Sequence, residues 1–206
     1  MSGFAGRRVG VLVVLYALGL SAWWWFATSV APSAFASAFA GRSSPTVARL
    51  VSRYSGNWDL KEALRRWEIT ASAVVVAGVC HGAVVLMVGV WHRRRRPGRT
   101  VAQARIDLAN SVLLIVLSLA FFLLTVWAGS IHDYYFFERI WEQIVWGRDP
   151  WFLVRGRRMM YPLNAYGPLF TVLAPLTLLN PLAPKLLFAL AFWMFAAWLV
   201  KDFAPS

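Results

Sequence analysis

Long uninterrupted apolar runs constrain this chain more than anything else in it. Val9 to Val30, Ile69 to Trp91 and Leu108 to Gly129 each carry enough apolar residues in sequence to cross hydrocarbon; about twenty helical residues suffice. A further apolar region is broken by prolines and reads as a hairpin. Tyr166 to Leu179 is its first limb, Asn180-Pro181 and Pro184-Lys185 its turn, and Leu186 to Val200 its second limb. In lipid every backbone N–H and C=O must be satisfied within the chain, so such runs fold as helices. The composition agrees: 59% of residues are hydrophobic and 15% charged, where a soluble domain carries about a quarter charged. The expected fold is all-α: a polytopic membrane protein of about five transmembrane helices with short interfacial amphipathic helices.

Charge orders the spans. The formal net charge is +12, carried by arginines in the loops. In a chain of this class it speaks for topology and for contact with membrane lipids. Nucleic acid is not an expected partner, because no recognition motif accompanies the charge. The densest basic loop is also short: His92 to Asp107 holds Arg93, Arg94, Arg95, Arg96, Arg99 and Arg105. The positive-inside rule places it in the cytoplasm. The N-terminus is then cytoplasmic, the Asp133 region lies outside, the turn with Lys185 is cytoplasmic, and the chain stops just outside. The expected location is the plasma (inner) membrane. Arg7 and Arg8 before the first run, with Ala38-Phe39-Ala40 after it, have the look of a secretory signal. The length of the run and Trp23-Trp24-Trp25 fit an uncleaved anchor with an interfacial belt instead.

Single polar residues inside the runs have mundane readings. Cys80, the lone cysteine, excludes an intramolecular disulfide and reads as a packed thiol. His81 lacks a second ligand at helical spacing and is expected to make a helix–helix hydrogen bond. Gly78, Gly82 and Gly89 offer close-packing surfaces. Residues 31 to 68 read as a polar loop ending in an amphipathic helix from Asn57, a plausible N-cap, to Trp67. Arg65 and Arg66 are placed there to snorkel toward headgroups. Asp133 to Trp146 reads as a second amphipathic helix, with Phe136, Phe137, Ile140, Trp141, Ile144 and Val145 on one stripe and Gly147 as its stop. The chain thus divides into residues 1 to 130, three spans with an outer and a basic inner loop, and residues 131 to 206, an interfacial helix and loop followed by the hairpin.

The residues that suggest chemistry follow the third span. Asp133 stands at the mouth of that helix. It is either a cap for the next helix or a carboxylate able to take a proton from a hydroxyl or to hold a divalent metal. Arg155, Arg157 and Arg158 crowd a short stretch, and guanidinium groups bind phosphate in bidentate fashion. They are either solvated or a grip on a lipid phosphate. His132 either assists Asp133 or is simply interfacial.

In order, Asp133 with Tyr135, Trp146-Gly147-Arg148-Asp149-Pro150-Trp151, Tyr161-Pro162, Tyr166-Gly167-Pro168-Leu169-Phe170, Pro175-Leu176 and Pro181 to Lys185-Leu186 resemble polytopic GT-C glycosyltransferases. The resemblance is to glycosyltransferase family 87, which includes polyprenyl-phosphate-mannose-dependent mannosyltransferases. It covers roughly residues 130 to 200 and implies an N-terminal portion of such an enzyme, since members have more spans than this chain. It implies transfer of a sugar from a polyprenyl-phosphate donor to an acceptor hydroxyl on the outer face, with Asp133 as the catalytic residue. His132, Tyr135, Asp149 and Tyr166 would join the three arginines in holding substrate. No cofactor and no metal are expected; the expected partners are the lipid-linked sugar donor, membrane lipids and an additional membrane subunit. Two other classes stand beside this one. One is a non-catalytic membrane subunit or degenerate paralogue of the same fold. The other is a transporter, disfavoured because the spans lack paired ionisable residues and an inverted repeat.

Overall fold

The computed structural model describes residues 2–93, 100–129, 133–148 and 171–203. Among them every regular element is helical. Helix α1 (Ser2–Trp25) continues through a π-helical turn (Phe26–Val30) into α2 (Ala31–Phe39). Helices α3 (Pro45–Ser55), α4 (Leu60–Arg93), α5 (Val101–Ala128) and α6 (Asp133–Val145) follow. A short 3-10 helix (Ala174–Leu178) precedes α7 (Ala183–Phe203). Four helical stretches are long and apolar enough to cross a membrane: Val13–Phe39, Leu60–Val90, Val101–Ala128 and Ala183–Val200. The protein is therefore an all-α polytopic bundle. Leu18, Leu124 and Phe192 are among many large apolar residues exposed on its outside, the surface that hydrocarbon covers.

Four spans, rather than about five, are formed by the described residues. The difference lies in the first limb of the expected hairpin. From Thr171 to Leu179 the chain makes turns and the 3-10 helix. Pro175 and Pro181 withhold two N–H donors, and a helix missing donors at that spacing does not propagate.

Helix α4 is the hub, packed on α1, α5 and α7. Ala73, Ala77, Cys80, Val84 and Val88 run down its buried face and meet Leu114, Phe122 and Val126 of α5 and Leu186, Ala189, Trp193 and Ala197 of α7. Small residues on α4 let neighbouring backbones approach, which is how helices associate where lipid supplies no hydrophobic drive. A Cβ at Gly78 would sit 2.5 Å from Leu20 Cδ2, and one at Gly82 would touch Tyr16, whereas Gly89 has open space. His81 is buried and ties three helices. Its Nε2 donates to Ile115 O of α5 at 3.0 Å, which leaves Nδ1 to accept from Tyr16 OH of α1. The helix–helix role expected for His81 is the one observed.

The join between α1 and α2 follows from Pro32. Proline has no N–H, and its ring crowds the carbonyl four residues back, here that of Thr28. The helix widens by one residue at this point, and Ala31 N–H bonds to Phe26 O, five residues back. Such π-turns relieve a helix of this kind of conflict. In that register the carbonyl of Ala27 would look to Pro32, which has nothing to give. The indole of Trp67 on α4 donates to Ala27 O instead, at 2.9 Å. Trp23 on α1 returns the gesture to Ala71 O of α4 at 3.0 Å.

Residues 31 to 68 are thus more ordered than a polar loop. Pro45 at the first turn and Ser44 as N-cap, whose Oγ accepts from Val47 N at 3.4 Å, start α3. Phe35, Val51 and Ala63 form a small second core with Tyr54, Trp58 and Trp67. The amphipathic helix expected from Asn57 to Trp67 is the first part of α4, and its cap is Asp59, whose Oδ1 accepts from Glu62 N at 2.8 Å. Arg65 and Arg66 both pair with Glu62, at 2.9 and 2.6 Å.

Candidate functional site

The end of the bundle where α5 stops is where the expected chemistry would lie. Gly129 ends α5 in a left-handed conformation, φ +56°. Helix α6 then begins at Asp133. It ends as its sequence requires: Gly147 adopts φ +66°, Gly147 N bonds to Ile144 O and Arg148 N to Gln143 O, at 3.0 and 2.8 Å. This pair of bonds is the Schellman stop that glycine permits. Ile140 and Trp141 turn inward and are buried, with Phe137, Ile144 and Val145 packed partly against the same core. The wet face carries Glu138 and an Arg139–Glu142 ion pair at 2.9 Å.

Three side chains tie this end of the bundle together. Tyr134 is buried and its hydroxyl donates to Pro181 O at 2.7 Å. Burial pushes its phenol above the ordinary range, with an opposing contribution from the Lys185 backbone N–H and a reinforcing one from the charge of Glu138. Lys185 Nζ donates to Gly129 O at 2.9 Å and lies 5.3 Å from the centre of the Tyr134 ring. A cation so placed serves the last carbonyls of α5, where the helix dipole is negative. Asn180 is buried with its amide satisfied on both sides: Nδ2 donates to Ile69 O and Ser72 Oγ, each at 2.8 Å, and Oδ1 accepts from Leu182 N at 2.7 Å.

These contacts correct the expected topology. Lys185 bonds to the end of α5, and Asn180 to the beginning of α4, so the turn at 180–185 and the start of α6 share one end of the bundle. The sequence reading put them on opposite sides, because it counted the 166–179 limb as a crossing. With residues 171–179 folded as turns and a 3-10 helix, α7 runs away from the Asp133 end and finishes at the end where α4 stops and α5 starts.

Of the residues expected to act, Asp133 is the first residue of α6 and Tyr135 lies in its first turn; the positions of their side chains are outside what is described. His132, Asp149, Arg155, Arg157, Arg158 and Tyr166 lie outside the described residues, as do Arg94, Arg95, Arg96 and Arg99. Tyr134, Asn180 and Lys185 are the polar residues this end is built around, and sequence reasoning gave none of them that part. Lys185 was read as a topology marker and Asn180 as a turn former. A signal existed for Asn180: it stands in a helix-free turn directly before Pro181, where carbonyls and N–H groups need side-chain partners. Among the described residues no three His, Cys, Asp or Glu side chains gather as a metal site. No protein-family model, no curated protein and no solved structure matches the chain.

Proposed function

We propose that this chain is a membrane-embedded glycosyltransferase of the GT-C kind, or a portion of one, acting on a polyprenyl-phosphate sugar. Asp133 is its general base. The acceptor hydroxyl attacks the anomeric carbon as Asp133 takes its proton; the bond from that carbon to the phosphate oxygen breaks, and the lipid phosphate leaves with the electron pair. Arg155, Arg157 and Arg158 meet the leaving phosphate, where preorganised positive charge lowers the barrier. His132, Tyr135, Asp149 and Tyr166 line the substrate. The reaction runs on the outer face of the plasma (inner) membrane, with the N-terminus cytoplasmic.

The observation that carries this reading is the anchoring of α6. A buried tyrosine, a lysine and two inward-facing apolar residues fix the helix that Asp133 begins to the end of a membrane bundle, as a base for a lipid-borne substrate requires. The ordered motif pieces from Asp133 to Leu186 add to it. The test is transfer of radiolabelled sugar from polyprenyl phosphate in membranes expressing the chain. Asp133→Asn is expected to lower it at least about 100-fold, the usual scale for a general base, with insertion unchanged. Full activity in that variant removes Asp133 from the mechanism. A second reading, a non-catalytic subunit of the same fold, is favoured by Asn180, Tyr134 and Lys185, whose hydrogen bonds are spent on holding the bundle. It predicts no transfer by the chain alone and recovery of a second membrane protein with it.

A further inference from the structure

Between α1, α4 and α5 runs an open groove of about 510 Å³, within the range of roughly 300–1,000 Å³ of sites that hold a small molecule. Its walls are almost wholly apolar. Gly19, Leu20 and Trp23 supply one side, Gly78 the floor, and Phe122 and Leu123 the other side. Gly19 keeps the groove open by withholding a side chain, since a Cβ there would meet nothing within 4 Å, while Gly78 lets Leu20 pack down onto the floor. Leu15 and Leu123 at its lips are 58% and 50% exposed on the lipid-facing surface. A solute from water has no path to such a place, whereas a hydrocarbon chain is already beside it.

One end of the groove is marked by charge. Trp23 closes it, its ring 5.9 Å from that of Trp67, which is 5.8 Å from Tyr54. Tyr54 follows Arg53 on α3. Arg49 and Arg53 stand one turn apart on the outward face of that helix, opposite the packed Val47 and Val51, and Arg42 precedes it; all three are exposed. Glu62 pairs with both Arg65 and Arg66 and offsets only one of the two charges, and the first 58 residues contain no Asp or Glu at all. This end of the protein therefore presents an excess of positive charge.

We propose that the groove holds one acyl chain of an anionic phospholipid whose phosphate is met by Arg42, Arg49 and Arg53. The site is independent of any sugar transfer. Apolar packing fixes the chain, and the guanidinium groups select the headgroup; each basic residue near an anionic membrane surface contributes roughly fivefold to binding.

Native mass spectrometry of the delipidated full chain in non-ionic detergent, titrated with phosphatidylglycerol or with phosphatidylcholine of the same acyl chains, tests it. Phosphatidylglycerol is expected to bind more tightly. The triple variant Arg42→Gln, Arg49→Gln, Arg53→Gln is expected to abolish that preference, a loss of about 100-fold for phosphatidylglycerol alone. Gly19→Leu fills the groove and is expected to weaken both lipids at least about tenfold, while Gly19→Ala, with room for its methyl group, binds nearly as the parent does. Leu123→Trp closes the groove from α5 and repeats the test should Gly19→Leu not fold. Equal affinity for the two lipids, or undiminished binding with the groove filled, overturns the proposal. So does displacement of phosphatidylglycerol by polyprenyl phosphate at equal concentration, which would assign the groove to a lipid-linked substrate.

Discussion

Replacing Trp67 with Phe tests the account of the α1–α2 join. The substitution keeps an aromatic ring against Trp23, Phe26, Phe35 and Tyr54 but removes the N–H given to Ala27 O. That carbonyl is on a buried residue, 3% exposed, and Pro32 deprives it of a helical donor. Leaving a buried acceptor unmade costs about 1–3 kcal/mol. Trp23→Phe is the matched control. Its acceptor, Ala71 O, lies within the continuous helix α4 and keeps its backbone partner, so the loss is the net worth of one hydrogen bond, about 0.5–1.5 kcal/mol. Trp67→Phe should therefore cost about 1 kcal/mol more than Trp23→Phe. Pro32→Ala returns an N–H to the turn, and in that background the penalty of Trp67→Phe should shrink by a similar amount. The measurement is a double-mutant cycle from unfolding in mixed detergent and dodecyl sulfate micelles, followed by far-ultraviolet circular dichroism. Distant sites add to within about 0.3–0.5 kcal/mol. A coupling between positions 32 and 67 no larger than that would refute the claim that the proline creates the need for the indole.

Two further outcomes follow from the packing. Tyr134 ordinarily titrates near pH 10.0 and burial raises it in the folded protein. Its contribution is intact below pH 10 and is lost as pH rises toward the folded value, because the unfolded chain ionises first. Melting curves should thus fall more steeply above pH 10 for the parent than for Tyr134→Phe, which at neutral pH is expected to be less stable by about 0.5–1.5 kcal/mol; parallel alkaline curves would contradict this. Gly89→Ala places a methyl group in open space within a helix and should stabilise by about 0.5–1 kcal/mol; a lowered melting temperature would mean that α4 is packed more tightly there than described.

Much of the fold is written in runs of apolar residues, and the reasons for the exceptions are specific. The three longest runs became spanning helices, which reach as far as Phe39 in place of Val30 and begin as early as Leu60 in place of Ile69, and Gly147 stopped α6 where its sequence position indicates. Within the expected limb, residues 171–179 misled because apolar length alone does not separate a crossing from turns and a 3-10 helix; the loss of donors at Pro175 and Pro181 does so. The stretch from 31 to 58 looked polar, yet its helices rest on capping by Ser44 and on aromatic contacts with Trp67, a residue distant in sequence. At the candidate site the start of α6 at Asp133 was readable from the apolar stripe that follows. The parts of Tyr134, Asn180 and Lys185 were not, since each depends on a partner in another helix that no local pattern reveals.

Asn180 has a consequence for how the protein is made. Its amide joins residues separated by 108 and 111 positions, so α4 enters the bilayer long before its partner exists. At translation rates of about 5–20 residues per second, Ser72 and the Ile69 carbonyl wait roughly 5–20 seconds for the amide to arrive. The early helices must rest in the insertion machinery or against one another during that interval, until the segment that carries Asn180 emerges and latches onto α4.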